Sequence, residues 1–272
     1  MSSHPTELSE TSSKVASQRL WQEVCRDGLG GEARLDRLDG ALHLWAFALA
    51  GSGAATAAEA ALLSPDEALR AERFRFERDR GRFIAGRATL RRILASYLDA
   101  DPRSLTFSYG PAGKPEIAGP QAAAKLSFNL SNSADWALLG VSQGRCLGVD
   151  LERIPETEDL AAVAKRFFAA AEAAALAAYD PPLYAEAFCA IWTRKEALLK
   201  AFGAGLSLPL DGFCVSTDPR QPARLLSTEF RPAEARRWSL LDVALEPPLA
   251  GRFRAALAVE GGPPVCRCFR LA

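Results

Sequence analysis

The sequence predicts an α+β protein built as a pseudo-dimer of two similar subdomains, each a small antiparallel sheet packed with helices. The same order of patterns, an apolar strand, then helices, then three more strands, occurs twice along the chain. Trp45 and Glu67 lie 105 positions before Asp150 and Glu172, so the corresponding features share one offset. A length of 272 residues allows one large domain or two of average size, with ample material for a core.

The first half of the chain opens with a weakly patterned segment. Residues 1–38 are rich in Ser, Glu, Arg and Gly, which favours a mobile leader or a loosely packed extension. The N-terminal subdomain is predicted over residues 39–144. Its elements are an opening strand at 41–49, a helix at 82–98, and strands at 105–109, 125–130 and 136–141.

The C-terminal subdomain is predicted over residues 145–272 and repeats this order. Its elements are a strand at 147–151, a helix at 184–202, and strands at 213–216, 238–245 and 253–259. A junction between two such halves forms a cleft, where ligands often bind. The halves differ in their acids, because Trp45 is the counterpart of Asp150 and Ala88 that of Glu196. We therefore expect one active site and not two.

Composition narrows the chemistry that the chain can support. The 33 basic residues balance the 33 acidic ones, so no overall field favours nucleic acid or an anionic membrane. No apolar run approaches the roughly 20 residues of a membrane span, and no secretory signal pattern is present, which predicts a cytoplasmic protein. Six irregularly spaced cysteines and two histidines argue against a disulfide framework, a zinc site and a histidine relay. Carboxylates, lysines and arginines must carry the chemistry.

Two short patterns supply these groups. Asp150 and Glu152 are two residues apart in an apolar strand, so their carboxylates emerge on one face. Trp192, Glu196 and Lys200 recur every four residues and share one stripe of a helix. A cluster of carboxylates without histidine suits Mg²⁺, which prefers oxygen ligands.

An arginine-rich segment lies in the first half. Between Arg70 and Arg92 there are nine arginines and three acids, so the local charge would attract phosphate groups. A metal site and a phosphate site together indicate phosphoryl chemistry, in which the protein positions the reactants and neutralises developing charge.

These patterns together resemble a known family. The segments Gly148-Val149-Asp150-Leu151-Glu152 and Trp192-Thr193-Arg194-Lys195-Glu196-Ala197-x-x-Lys200 resemble the two signature motifs of 4'-phosphopantetheinyl transferases, at a matching separation. Further similar segments are Gly113-Lys114-Pro115 and the runs 128–133, 165–168 and 205–210. The resemblance covers roughly residues 41–260 and points to the larger, monomeric, surfactin-synthetase-activating (Sfp-like) class. Members of this class are pseudo-dimers that bind coenzyme A and Mg²⁺ between the halves.

The resemblance implies a role for each matching residue. Asp150, Glu152 and Glu196 would surround the Mg²⁺ on the coenzyme A pyrophosphate, with Mn²⁺ as an alternative ion. Glu196 would also take the proton from the serine of a carrier protein, and Lys200 would stabilise the pyrophosphate as 3',5'-ADP departs. Lys195 would be a supporting cation. The implied coenzyme A contacts, chiefly to its phosphates, are Arg70, Arg82, Lys114 and Ser131.

Two positions depart from the family pattern. Asn132 stands where the family usually has a histidine that contacts a phosphate. An amide can donate a hydrogen bond but carries no charge, so we expect weaker coenzyme A binding or a shifted pH dependence. Glu67 stands at a usually basic position before Arg70, so one of the basic side chains that would bind a phosphate in the family pattern is an acid here.

The resemblance implies a Mg²⁺-dependent, monomeric, cytoplasmic enzyme of secondary metabolism. It would transfer 4'-phosphopantetheine from coenzyme A to a serine of an acyl or peptidyl carrier protein that binds transiently. Two alternatives stay open. The same acids could serve a Mg²⁺-dependent hydrolase of phosphate esters, or the fold could be a non-enzymatic module that binds coenzyme A or a carrier.

Overall fold

The computed structural model describes residues 21–25, 29–49, 55–156, 159–203, 208–229 and 236–272. Its helices are α1 (Leu29–Glu32), α2 (Ala57–Ala60), α3 (Pro65–Glu72), α4 (Glu77–Leu98), α5 (Leu160–Phe167), α6 (Ala170–Ala177) and α7 (Pro181–Phe202). Its strands are β1 (Gln22–Val24), β2 (Ala41–Ala48), β3 (Thr106–Tyr109), β4 (Pro115–Ala118), β5 (Leu126–Ser133), β6 (Trp136–Gln143), β7 (Leu147–Arg153), β8 (Phe213–Val215), β9 (Leu225–Thr228), β10 (Trp238–Asp242), β11 (Phe253–Glu260) and β12 (Val265–Leu271). The predicted α+β class is confirmed. No helix within the described ranges is long and apolar enough to cross a membrane.

The two halves repeat one sheet topology. In the first half β2 pairs antiparallel with β6, and β6 pairs antiparallel with β5. In the second half β7 pairs antiparallel with β11, and β11 pairs antiparallel with β10. Each half therefore joins its opening strand to two strands that follow its helices in a three-stranded antiparallel arrangement, and this arrangement occurs twice along the chain.

Each half also forms a separate hairpin. β3 pairs with β4, and β8 pairs with β9, so the strands predicted at 105–109 and 213–216 are wrong as members of the main sheets. A tight turn explains the first hairpin, because the amide of Gly110 donates to the carbonyl oxygen of Lys114 at 3.0 Å. The opening strands β2 and β7 take the third place in the two sheets instead.

Both ends of the described chain join the first sheet. β12 pairs parallel with β2 and β1 pairs parallel with β12, which gives the order β1-β12-β2-β6-β5. β12 lies in the predicted C-terminal subdomain, so the assignment of 145–272 to one unit is wrong for this strand. Residues 22–24 and 29–38 were expected to be loosely packed, yet Val24, Leu29, Ala33 and Leu38 are buried in the first core. Residues 1–20 and 26–28 of that segment lie outside the described residues.

An apolar layer joins the two halves. Leu42 and Leu44 of β2 face this layer from the five-stranded sheet, while Val149 of β7 and Leu257 of β11 face it from the three-stranded sheet. All four side chains are almost fully buried, and burial of such a side chain is worth about 1.5–3 kcal/mol. The seam of the pseudo-dimer is therefore a packed core.

Helix α7 lies unusually close to β7. A Cβ atom at Gly148 would lie 2.1 Å from the carbonyl oxygen of Ala197 and 2.4 Å from the amide nitrogen of Ala201. Only glycine permits this approach of backbone to backbone. It brings the last two turns of α7, with Glu196 and Lys200, beside the strand that carries Asp150 and Glu152.

Candidate active site

Side chains of β5 join it to the edge of β7, where the two halves meet at the seam. Three polar side chains on one face of β5 accept hydrogen bonds from alternate backbone amides of β7. These bonds join Val149 N–H to Asn129 Oδ1 (2.8 Å), Leu151 N–H to Ser131 Oγ (3.3 Å) and Arg153 N–H to Ser133 Oγ (3.0 Å). Because the free edge of β7 is satisfied in this way, the two sheets meet without a continuous backbone ladder.

Asp150 lies at the centre of the site and is almost completely buried. Its Oδ1 accepts a hydrogen bond from Ser131 Oγ at 2.8 Å and from Lys200 Nζ at 2.6 Å. Lys200 Nζ also donates to Ser131 Oγ at 2.9 Å. Oδ2 of Asp150 is buried and has no hydrogen-bond partner. A buried, unpaired carboxylate oxygen is costly, which favours a ligand with positive charge at this point.

Three carboxylates share this environment. Burial raises the pKa of Asp150, although the Lys200 ammonium opposes the shift. Burial and then the charge of Asp150 raise the pKa of Glu152 to about 7. The same two causes raise the pKa of Glu196. The three predicted acids therefore lie close enough to repel one another, and their negative charge exceeds what Lys200 supplies.

These acids do not form a complete cation cage by themselves. Among the described residues, no three His, Cys, Asp or Glu side chains are grouped closely enough to hold a metal ion. A cation at this point would need further oxygen ligands from a bound molecule. Mg²⁺ is commonly bound in this way, through one or two carboxylates together with substrate phosphate oxygens.

Lys195 is wrong as a supporting cation for a ligand. Its side chain is fully buried, and its ammonium pairs with Glu172 at 2.7 Å. It also donates to the carbonyl oxygens of Leu210 and Phe213, which uses its three protons. Glu172 caps the start of α6 through the amide of residue 169, so this ion pair fixes two helices together.

The first half contains an equivalent of this ion pair. Glu67 caps the start of α3 through the amide of Ser64, and it accepts hydrogen bonds from Arg87 and Arg91. Arg87 corresponds to Lys195 in the internal repeat. Glu67 is therefore a structural acid, which explains why an acid is tolerated where the family pattern leads us to expect a base.

Lys114 bridges the two halves. Its ammonium donates to the carbonyl oxygen of Leu147, at the start of β7, and to that of Lys200, in the last turn of α7, both at 2.8 Å. Burial lowers its pKa. Two of its three protons therefore bind backbone carbonyls beside the acidic cluster, which indicates a bridging role. The expected contact with a coenzyme A phosphate would depend on the third proton and stays a prediction.

A cavity of about 640 Å³ lies between α3, α4 and β3. Arg70, Arg73 and Arg87 line it, together with Phe83 and Tyr109. The guanidinium of Arg70 is exposed and lies 5.4 Å from the centre of the Phe83 ring. A cavity with arginines and aromatic rings can hold a phosphate and a flat base, which is consistent with the expected phosphate contact of Arg70, and that contact stays a prediction.

Arg82 and Asn132 lie near the rim of the seam. Arg82 pairs with Asp135, in the turn between β5 and β6, and with Asp79. Asn132 is exposed and alternates with Ser131 and Ser133, so it lies on the face of β5 opposite Asp150. Neither residue touches the acidic cluster, and their predicted phosphate contacts stay predictions.

Asn129 and Ser133 hold β7 in place, a role that the resemblance of the run 128–133 did not assign to them. Their signal is present in the sequence, since Asn129, Ser131 and Ser133 alternate with the period of a strand. This is the period used to place Asp150 and Glu152 on one face.

Comparison with known proteins gives a consistent result. The profile described as "4'-phosphopantetheinyl transferase, N-terminal" matches residues 52–144, and that of the "4'-phosphopantetheinyl transferase superfamily" matches residues 146–258. The chain is 38% identical to the 4'-phosphopantetheinyl transferase HetI of a Nostoc species, over 84% of this chain and 91% of that protein. It is 32% identical to the 4'-phosphopantetheinyl transferase Sfp of Bacillus subtilis, over 56% of this chain and 66% of that protein. The holo-[acyl-carrier-protein] synthase of Thermotoga maritima aligns with 43% of this chain and 63% of its own, at 18% identity and a TM-score of 0.32, too distant to carry an argument.

Proposed function

Because the chain belongs to the 4'-phosphopantetheinyl transferase superfamily, we propose that it transfers the 4'-phosphopantetheine group of coenzyme A to a serine of an acyl or peptidyl carrier protein. The reaction depends on Mg²⁺ and releases 3',5'-ADP. The observation that carries the proposal is the group of three mutually repelling carboxylates, Asp150, Glu152 and Glu196, beside Lys200 at the seam.

The acidic cluster fits a divalent cation. Oδ2 of Asp150 is buried without a partner, and all three carboxylates have a raised pKa, so a cation here would relieve an unfavourable concentration of negative charge. Asp150, Glu152 and Glu196 would hold it, with the remaining ligands from the pyrophosphate. The cation, Mg²⁺ or Mn²⁺, supplies neutralisation of the phosphate charge.

Coenzyme A would occupy the seam and the arginine-lined cavity. Its 3',5'-ADP portion would occupy the cavity with Arg70 and Arg73, which offers cationic groups for phosphate and aromatic rings for the base. Lys200 is the cation beside the acidic cluster, within hydrogen-bond distance of Asp150.

The transfer step needs a base and a stabilised leaving group. The serine oxygen of the carrier forms a bond to the phosphorus next to the pantetheine, the bond from that phosphorus to the oxygen of 3',5'-ADP breaks, and the serine proton passes to Glu196. A carboxylate with a raised pKa is better matched to proton abstraction near neutral pH than an ordinary one. The Lys200 ammonium stabilises the charge that collects on the departing 3',5'-ADP.

The enzyme is proposed to act as a monomer in the cytoplasm on a carrier protein that docks transiently. Its place in secondary metabolism is part of the same proposal.

A carrier-labelling experiment tests this function. The protein is incubated with coenzyme A, Mg²⁺ and an apo carrier protein, and the products are analysed by mass spectrometry and chromatography. We expect the carrier to gain the phosphopantetheine mass on its serine, with an equal amount of 3',5'-ADP and with complete loss of the reaction in EDTA.

Two results would contradict the proposal. Cleavage of coenzyme A without carrier modification would identify a hydrolase. Coenzyme A binding without any turnover, over a panel of apo carriers, would identify a binding module.

A further inference from the structure

The hydroxyl of Ser133 makes two contacts that define its orientation. Ser133 Oγ accepts the amide N–H of Arg153 at 3.0 Å and lies 2.7 Å from Oε2 of Glu152. The amide can only donate, so the single hydroxyl proton is free to be directed to the carboxylate. Ser133 thus links the backbone of β7 to the side chain of an acid on the same strand.

The same arrangement occurs two residues earlier on both strands. Ser131 Oγ accepts the amide of Leu151 at 3.3 Å and donates to Oδ1 of Asp150 at 2.8 Å. In each case a serine of β5 binds a carboxylate of β7 and the amide of the residue that follows it. The repetition follows the two-residue period of the strands, so both carboxylates are held from the same side.

An open cleft lies beside the Glu152 side chain. A cleft of about 510 Å³ borders Ser133 and Glu152 and is lined on its other sides by Ile154, Leu160 and Trp192. The glutamate side chain is flexible, and without the hydroxyl its carboxylate could turn away from Asp150 into this open space. The neighbour Asp150 is buried and short, and it has no comparable freedom.

We propose that Ser133 is a positioning residue, which holds the Glu152 carboxylate toward Asp150 and so sets the affinity of the site for a divalent cation. The inference rests on the proposed function, because it takes Glu152 as a ligand of that cation. Hydrogen bonds that orient metal ligands commonly change metal affinity by 10- to 100-fold when they are removed.

The test measures binding of Mn²⁺ to the full-length protein in the presence of saturating coenzyme A, from the electron paramagnetic resonance signal of free Mn²⁺. We expect Ser133→Ala to weaken Mn²⁺ binding about tenfold. Ser133→Thr, which keeps the hydroxyl, should restore it. In turnover, Ser133→Ala should raise the Mn²⁺ concentration needed for half-maximal rate while the rate at saturating Mn²⁺ stays near that of the wild type.

A matched control separates positioning from general destabilisation. Ser142, on the adjacent strand β6, is buried and, like Ser133, donates a hydrogen bond through its hydroxyl, to the carbonyl oxygen of Arg145 at 2.7 Å. Ser142→Ala should lose similar stability in urea unfolding and leave Mn²⁺ affinity unchanged. A double-mutant cycle adds a second check, since Ser133→Ala should have no further effect on Mn²⁺ affinity in a Glu152→Ala background.

Failure of the inference and failure of the proposed function look different. If Ser133→Ala binds Mn²⁺ within twofold of the wild type while Glu152→Ala loses affinity, Ser133 is only a clamp between β5 and β7, and the metal site stands. If the wild type with coenzyme A does not bind Mn²⁺ at all, the proposed metal site itself is wrong, and the inference is wrong with it.

Discussion

The close approach of α7 to β7 makes Gly148 the most sensitive position in the site that carries no functional group. In Gly148→Ala the new Cβ would lie 2.1 Å from the carbonyl oxygen of Ala197, whereas ordinary contact begins at 3.4 Å. Both nearest atoms belong to the helix backbone, so no side chain can move aside and α7 must retreat by about 1 Å. Overpacking of this kind costs about 1–3 kcal/mol of folding free energy.

The retreat of α7 also separates the groups that it carries from those on β7. The 2.6 Å contact between Lys200 Nζ and Asp150 Oδ1 would lengthen beyond hydrogen-bond range. Because a displacement of about 1 Å in a catalytic group can cost about 100-fold, we expect the rate of carrier labelling by Gly148→Ala to fall by roughly that factor.

The assay combines the labelling rate at saturating coenzyme A with urea unfolding. Gly262→Ala is the matched control, because a Cβ at Gly262 meets nothing within 4 Å. It should behave like the wild type in both measurements. A Gly148→Ala variant with unchanged rate and unchanged unfolding free energy would show that α7 does not contact β7 as closely as described, and the account of how the site is assembled would be wrong.

Four further predictions concern single side chains. Lys114→Met removes the bridge between the halves, so kcat and the unfolding free energy should fall while the Kd for coenzyme A stays within twofold of the wild type. A tenfold rise in that Kd at unchanged kcat would instead show that Lys114 contacts coenzyme A. Glu196→Gln should bind coenzyme A normally but lose about 100-fold or more in single-turnover rate, and an unchanged rate would refute its role as base. The pKa of Glu152 is raised to about 7 by burial and by Asp150, so a proton competes with the cation for this carboxylate below that pH. The affinity for Mn²⁺ should therefore fall as the pH drops from 8 to 6, and an affinity that does not change with pH would contradict this. Burial lowers the pKa of His43 to about 4, below its unfolded value of about 6.5. The neutral imidazole therefore contributes its full stabilisation above pH 6.5, and up to about 3 kcal/mol of it is lost as the pH falls toward 4. The unfolding free energy of His43→Gln in urea should depend less on pH than that of the wild type, and an equal dependence would contradict this.

Much of the fold could be predicted because its signals are local. The patterns of the long helices and the apolar runs of β2 and β7 lie within single segments, and the common offset of Trp45 from Asp150 and of Glu67 from Glu172 indicates the duplication. The parallel pairing of β12 with β2 joins residues more than 200 positions apart, and no local pattern specifies such a partner.

In the candidate site, too, the features that lie within one segment could be predicted. The strand period pairs Asp150 with Glu152 and the helix period pairs Glu196 with Lys200, and only the family resemblance implied that the two pairs meet. Lys195 was misplaced because it is next to Glu196 in sequence, yet on a helix neighbouring residues diverge by about 100°, and Lys195 faces the buried Glu172.

A crystal structure of the protein with coenzyme A and Mn²⁺, in which the ion is located by its anomalous scattering, would test directly whether the three acids hold the cation. We predict one ion at the seam, within about 2.0–2.4 Å of a carboxylate oxygen of Asp150 and of a pyrophosphate oxygen, with Glu152 and Glu196 directed toward it. An ion and a pyrophosphate bound away from these three acids would contradict it.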